Sequence, residues 1–217
     1  NGANQPGRAE EVAKNYISQC DSTNLYVNKE YAYSLFMQFK YDEAIPLYEK
    51  LIAQGFDNFE SNFILGLCYE DQPDNEKALK HYQKAVQFKN DNATCLFHLA
   101  LIEKSFCMDS LSMAHFNQSL EVSLPKDRAL RTYKWLADLH FQHSRYADAA
   151  RDFELSILYD EEDDPLNYYN AAQMFIASKN KLKAKLYLQL FLANANRLED
   201  KKEAAQLISK AKEQLKQ

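Results

Sequence analysis

Two columns of small residues run through this chain in step. One holds Ala44, Ala78, Ser112, Ala149 and Ala184, and the other Ala32, Gly66, Ala100, Ala137 and Ala172; successive spacings are 34, 34, 37 and 35 in both. A three-residue insertion near Lys126–Ala129 displaces both columns together, so they belong to one repeating unit. Four residues after the first column stand Tyr48, Tyr82, Phe116, Phe153 and Leu188, and three further on Leu51, Ala85, Ser119, Ser156 and Phe191. Steps of three and four place these side chains on one helical face. Each unit therefore reads as two helices, with small residues where the helices approach closely. One such pair cannot bury its own apolar face, so neighbouring pairs must stack, and a period of this length marks a solenoid.

The rest of the composition agrees. Gly (4) and Pro (5) are too scarce for the turns of an all-β chain, whereas Tyr (14) and Phe (13) supply much aromatic surface. A net charge of −5 with a pI near 5.6 argues against a nucleic-acid partner, which needs a basic stripe. No apolar run reaches the roughly 18 residues of a membrane span. Cys20, Cys68, Cys95 and Cys107 have no paired spacing, so they are expected as small buried hydrophobes in helices.

The stretch "NFILGLCYEDQPDNEKALKHYQKAV" carries Leu65, Gly66, Tyr69, Ala78, Tyr82 and Ala85 at the signature spacing of the tetratricopeptide repeat family. The chain resembles that family over residues 25–198. It departs from the pattern at Glu103 and His140, where the family prefers an aromatic residue, and at Ala171. The terminal Pro column is nearly absent, with Phe56, Asn90 and Glu161 in its place and Pro125 nearby. The resemblance implies an all-α, right-handed solenoid of antiparallel helix pairs, a superhelix of five repeats at 25–58, 59–92, 93–126, 130–163 and 165–198. Residues 1–24 are expected to be the second helix of a preceding, truncated repeat, with Ala9, Ala13 and Tyr16 in its columns. Residues 199–217, with Ala204, Leu207, Ile208, Ala211 and Leu215 on one stripe, are expected to form a capping helix. Because the chain opens on "NGANQPG" without an initiator Met, it is expected to be part of a longer array, and a missing leader says nothing of compartment.

Candidates for chemistry are few. No nucleophile–base pair or Gly-rich phosphate loop stands out, so no enzyme, cofactor or metal is expected. His140 and His143 lie three apart on one helix but lack further ligands nearby, and are expected to be satisfied or exposed. In "DEEDDP", Asp164 before Pro165 reads as a helix cap followed by proline at the first helical position.

In the resembled family the first helices line a concave surface. Carried onto this chain, that surface includes Tyr33, Phe36, Phe63, Leu67, Phe97, Leu101, Lys104, Arg131, Lys134, Trp135, Phe141, Tyr169 and Asn170. Aromatic residues are common interface anchors, so a peptide segment is the expected partner, held by a scaffold or adaptor. Glu60, Glu70 and Asp71 make one region acidic, while Lys104, Arg131 and Lys134 form a basic cluster for a partner carboxylate. Some family members clamp a C-terminal carboxylate with Lys and Asn residues. Lys134 and Asn170 fit two of those places, but Asp138 stands at another and the third-repeat Lys and Arg are missing, so that clamp is not expected. Alternative readings are a self-assembling module, dimerising through its N-terminal end, and, more remotely, a metal-binding or enzymatic role.

Within "KYDEAIPLYEKL", Pro46 removes a backbone donor from an otherwise helical pattern. A late helix start near Asp42–Glu43 would place Pro46 among the first four N–H groups, which lack partners anyway.

Overall fold

A computed structural model describes residues 5–19 and 23–216. The chain divides into two compact units, residues 1–115 and 116–217. Among the described residues there are twelve α-helices and no strand. The first unit holds α1 (Gln5–Gln19), α2 (Leu25–Phe36), α3 (Tyr41–Ala53), α4 (Phe59–Asp71), α5 (Asn75–Phe88) and α6 (Ala93–Ser105). Helix α7 (Asp109–Val122) runs across the division. The second unit holds α8 (Lys126–Gln142), α9 (Tyr146–Leu158), α10 (Pro165–Ala177), α11 (Lys181–Asn194), a 3₁₀ turn at Ala195–Arg197 and α12 (Lys201–Gln214). Within each unit, successive helices pack on one another, α2 on α3, α4 on α5, α8 on α9 and α10 on α11.

Polar caps begin most of these helices. The side chains of Asn24, Asn58, Asp74, Asn92, Asp164, Asn180 and Asp200 each accept a hydrogen bond from a backbone N–H of the first turn. Such caps satisfy donors that the helix itself leaves free. Asp164 accepts from the Leu166 N–H at 2.9 Å, and Pro165 opens α10, as the sequence suggests.

Between the helices of each pair the backbone repeats one turn. Phe39, Cys107, Ser144 and Lys179 all have φ between 57° and 61°, each seven residues after the first-helix small residue. The next residue's N–H then reaches back to the first helix: Lys40 to Leu35 O (3.0 Å), Asp74 to Tyr69 O (2.9 Å), Met108 to Glu103 O (2.9 Å), Arg145 to His140 O (2.7 Å) and Asn180 to Phe175 O (2.9 Å). This closure usually takes glycine at the left-handed position, and here none of the five is glycine, the remaining one being Pro73 with φ 26°. Cys107 belongs to this turn and is exposed, a correction to the expected burial; Cys68 and Cys95 are buried, and Cys20 lies outside the described residues.

Both small-residue columns are buried. Ala32, Ala100, Ala137, Ala172, Ala44, Ala78, Ser112 and Ala149 are all 0 % exposed. At Gly66 a Cβ would stand 2.5 Å from Cε1 of Tyr82, so the ring rests directly on the glycine. The Ser112 hydroxyl donates to the Ala100 carbonyl at 2.8 Å and ties α7 to α6.

Pro46 corrects the late-start reading. Helix α3 begins at Tyr41, with the Ala44 N–H on the Lys40 carbonyl at 3.0 Å, so Pro46 is the sixth helical residue and lies beyond the four free donors. Its ring is exposed, which keeps it clear of the packed face. The side chain of Asp42, whose carbonyl it cannot serve, accepts at Oδ1 from Gln72 Nε2 at 2.5 Å.

Candidate functional site

The expected ligand face lies on the first helices, and each unit presents its own part. In the first unit, Tyr33 on α2 is exposed, with its ring 6.1 Å from the half-buried Phe36. Phe36, Phe63 and Leu67 all pack against the core; Phe63 stacks on Phe59 at 5.5 Å and leans on Tyr82 at 6.2 Å. Leu101 and Lys104 on α6 are half-buried. Phe97 is only 2 % exposed and belongs to the core, because α6 buries side chains around most of its circumference. In the second unit, Arg131 and Phe141 on α8 are exposed, and Lys134 and Trp135 are half-buried. The Phe141 ring lies 5.4 Å from Tyr146. Tyr169, half-buried on α10, packs 5.1 Å from Phe191, beside the half-buried Asn170.

Glu60 and Glu70, in the acidic region of the first unit, are internally matched. Lys29 pairs with Glu60 at 2.7 Å. Glu70 accepts from Tyr82 Oη at 2.5 Å and from His98 Nδ1 at 2.9 Å. Burial raises the Glu70 pKa, but the hydrogen bonds from His98 and Tyr82 outweigh it and hold the carboxyl below its ordinary value.

The two departures from the repeat signature have partners that the sequence did not reveal. Glu103, 1 % exposed on α6, meets Nδ1 of His115 on α7 at 2.7 Å. His140 on α8, 6 % exposed, meets Oδ2 of Asp152 on α9, 4 % exposed, at 2.6 Å. The corresponding places in other repeats hold Tyr69 stacked on His81 (5.6 Å) and Phe175 stacked on Tyr187 (5.4 Å). An acid–imidazole pair thus replaces a ring pair at one packing position. Burial raises the Asp152 pKa, against the pull of His140. His143 is exposed. Among the described residues no group of three or more His, Cys, Asp or Glu is placed to hold a metal ion, and no helix is long and apolar enough to cross a membrane.

Helix pairs of this period, closed by a repeated turn and packed small-against-large, have the fold of tetratricopeptide-repeat solenoids. Residues 37–107 match the family model of subunit 3 of the anaphase-promoting complex, or cyclosome. Among characterised relatives, DnaJ homolog subfamily C member 3 of Gallus gallus is 23 % identical over 219 residues, covering 93 % of this chain but 43 % of the relative. The chain therefore spans less than half of that protein. Among solved structures, YrrB, described as a tetratricopeptide-repeat protein with an unusual peptide-binding site, superposes with a TM-score of 0.73 at 14 % identity, covering 92 % of this chain and 99 % of YrrB. MamA superposes with a TM-score of 0.63 at 15 % identity over 76 % of this chain and 95 % of MamA.

Proposed function

We propose that this chain is a non-catalytic interaction scaffold whose first helices receive a peptide segment. The observation that carries this reading is the open apolar surface on those helices: Tyr26 and Tyr33 on α2 with Met37 at its C-cap, and Phe141 with the half-buried Trp135 on α8, stay accessible while the inner residues of the same helices are buried. Rigid aromatic side chains are effective anchors at peptide interfaces. Proteins of this fold are generally interaction scaffolds, and YrrB is one described by its peptide-binding site. The titratable pairs inside the repeats fill packing positions, which leaves them no evident chemical task. The division into five repeats with a terminal cap is part of the same reading.

The test uses the full chain and peptides selected on it from a random display library. Tyr33→Ala with Met37→Ala, and separately Trp135→Ala with Phe141→Ala, should weaken selected peptides by about tenfold or more while helicity is kept. Undiminished affinity in both variants would overturn the reading.

Self-association is a second reading, favoured by the apolar pair Val12 and Tyr16, 62 % and 37 % exposed one turn apart on α1. Sedimentation mass should then rise with concentration and stop rising in Val12→Glu; a constant monomer mass removes it.

A further inference from the structure

A pocket of about 450 Å³ opens in the second unit, where the end of α10, the first turns of α11 and the end of α12 meet. Its floor is apolar: Ala184 and Leu188 are nearly closed, and Ile176 and Leu215 stand at its sides. Its rim is Lys179, Lys181 and Lys185, and no acidic side chain lines it. None of these three lysines pairs with a carboxylate among the described residues. Their neighbour Lys183, on another face of α11, is bound to Glu154 at 2.6 and 2.8 Å.

This arrangement works against the helix that holds it. Lys181 and Lys185 are like charges four residues apart, which repel across one turn. Lys181 also sits in the first turn of α11 with no acid beside it, where the helix dipole disfavours a cation. The chain as a whole carries −5, so the local charge is opposite to the global one. The reciprocal side-chain bonds of Gln173 and Gln214 (2.9 and 3.1 Å) fasten α12 to α10 and fix the wall of the pocket.

We propose that this pocket is a docking site for an acidic peptide segment that inserts one large apolar side chain between flanking carboxylates. The three unmatched cations call for anions, and the apolar floor calls for a side chain that free inorganic anions lack. A bilayer surface fits less well, since the floor is recessed and the chain's net charge repels anionic lipid. The site shares with the proposed function only the class of ligand, for its residues are distinct from the Tyr33 and Trp135 surfaces.

The probe is a fluorescein-labelled peptide, Asp-Glu-Asp-Leu-Phe-Glu-Asp-Glu, titrated into the full chain and followed by anisotropy. Two controls replace Leu-Phe by Ser-Ser, or every acid by its amide. Binding of the parent peptide should exceed that of both controls by about tenfold or more, and should fall with added salt. Lys181→Glu with Lys185→Glu should weaken it by about tenfold or more, through exposed contacts turned repulsive; these exposed positions leave the core intact, which circular dichroism checks. Ile176→Ser should weaken it by lowering the apolar contribution alone. Equal binding of parent and control peptides, or an unchanged affinity in the charge-reversed variant, would overturn the proposal. So would lysine-dependent binding to phosphatidylserine vesicles in place of the peptide. Loss of peptide binding in Trp135→Ala with Phe141→Ala, but not in the lysine variant, would leave the proposed function standing and remove this pocket from it.

Discussion

Replacing His140 by Ala should be among the most damaging single changes in the second unit. The imidazole and the Asp152 carboxylate are 6 % and 4 % exposed and 2.6 Å apart. Removing one half of such a pair leaves the other buried and uncompensated, at a cost of about 3–5 kcal/mol. With a urea dependence of about 2 kcal/mol per molar, the unfolding midpoint falls by roughly 2 M, read by circular dichroism on the full chain. The first repeat supplies the rescue. His140→Leu with Asp152→Leu reproduces Leu35 and Leu47, which hold the same two places in the first repeat, and an apolar pair of similar volume is neutral or stabilising relative to a buried ionic one. The double variant should return to within about 1 kcal/mol of the parent or exceed it. The single variant carries a pH signature as well. Burial already raises the Asp152 pKa, and loss of the imidazole raises it further. A carboxyl raised in the folded state favours folding below its unfolded pKa and loses that contribution as pH rises through the folded one. The penalty of His140→Ala should therefore be smaller at mildly acidic than at neutral pH. A midpoint shift under about 0.3 M in the single variant, or a double variant as weak as the single, would refute the reasoning.

Gly66→Ala should destabilise by about 1–3 kcal/mol in urea unfolding, although alanine is the better helix former, because its Cβ would meet the Tyr82 ring. The Tyr48 hydroxyl is buried without a hydrogen-bond partner among the described residues, so Tyr48→Phe should gain about 1 kcal/mol by the same measurement. Ser144→Gly should gain about 0.5–1 kcal/mol by relieving a left-handed non-glycine residue with φ 59°. The Glu10 carboxyl is held down to about 2 from its ordinary 4.5 by hydrogen bonds from Lys14 and Lys40, which outweigh its burial, with Gln38 assisting. A depressed pKa gives stability that is present above about pH 4.5 and lost as pH falls toward 2. Hydrogen-exchange protection factors along α1, corrected for the intrinsic pH dependence of exchange, should thus fall over that interval, and Glu10→Gln should flatten the change.

The architecture is legible from the small-residue columns because close helix approach admits little else there; Ala32, Ala44, Ala100 and Ala149 are all fully buried. The direction of individual side chains is harder. Helix α6 is apolar around most of its surface, so periodicity assigns Phe97 to an outer face that the structure closes. The partners of Glu103 and His140 were missed although a signal existed: each lies 12 residues on, at His115 and Asp152, the fixed step between facing positions of a helix pair. The repeated left-handed turn left no trace, since Phe39, Cys107, Ser144 and Lys179 share no chemistry and the usual glycine is missing. Pro46 misled because its cost suggests a helix start, whereas an exposed ring in a helix held by Tyr48 and Leu51 is tolerated.

The two acid–imidazole pairs are wired in opposite senses. The acid lies on the first helix of one pair, at Glu103, and on the second helix of the next, at Asp152. A chain of similar helix pairs must choose, while folding, which second helix each first helix accepts. Were α6 to close on α9, Glu103 would face Asp152, carboxylate against carboxylate. Were α8 to close on α7, His140 would face His115 with no carboxylate between them. Both mistakes lose the buried acid–imidazole match, a directional match that a ring pair such as Phe175 with Tyr187 does not carry. The alternation therefore favours the native partner of each of these two first helices over the other's. It discriminates between different helices of one chain, but not between the same helix of two chains, where an exchanged α9 would bring back the matching Asp152.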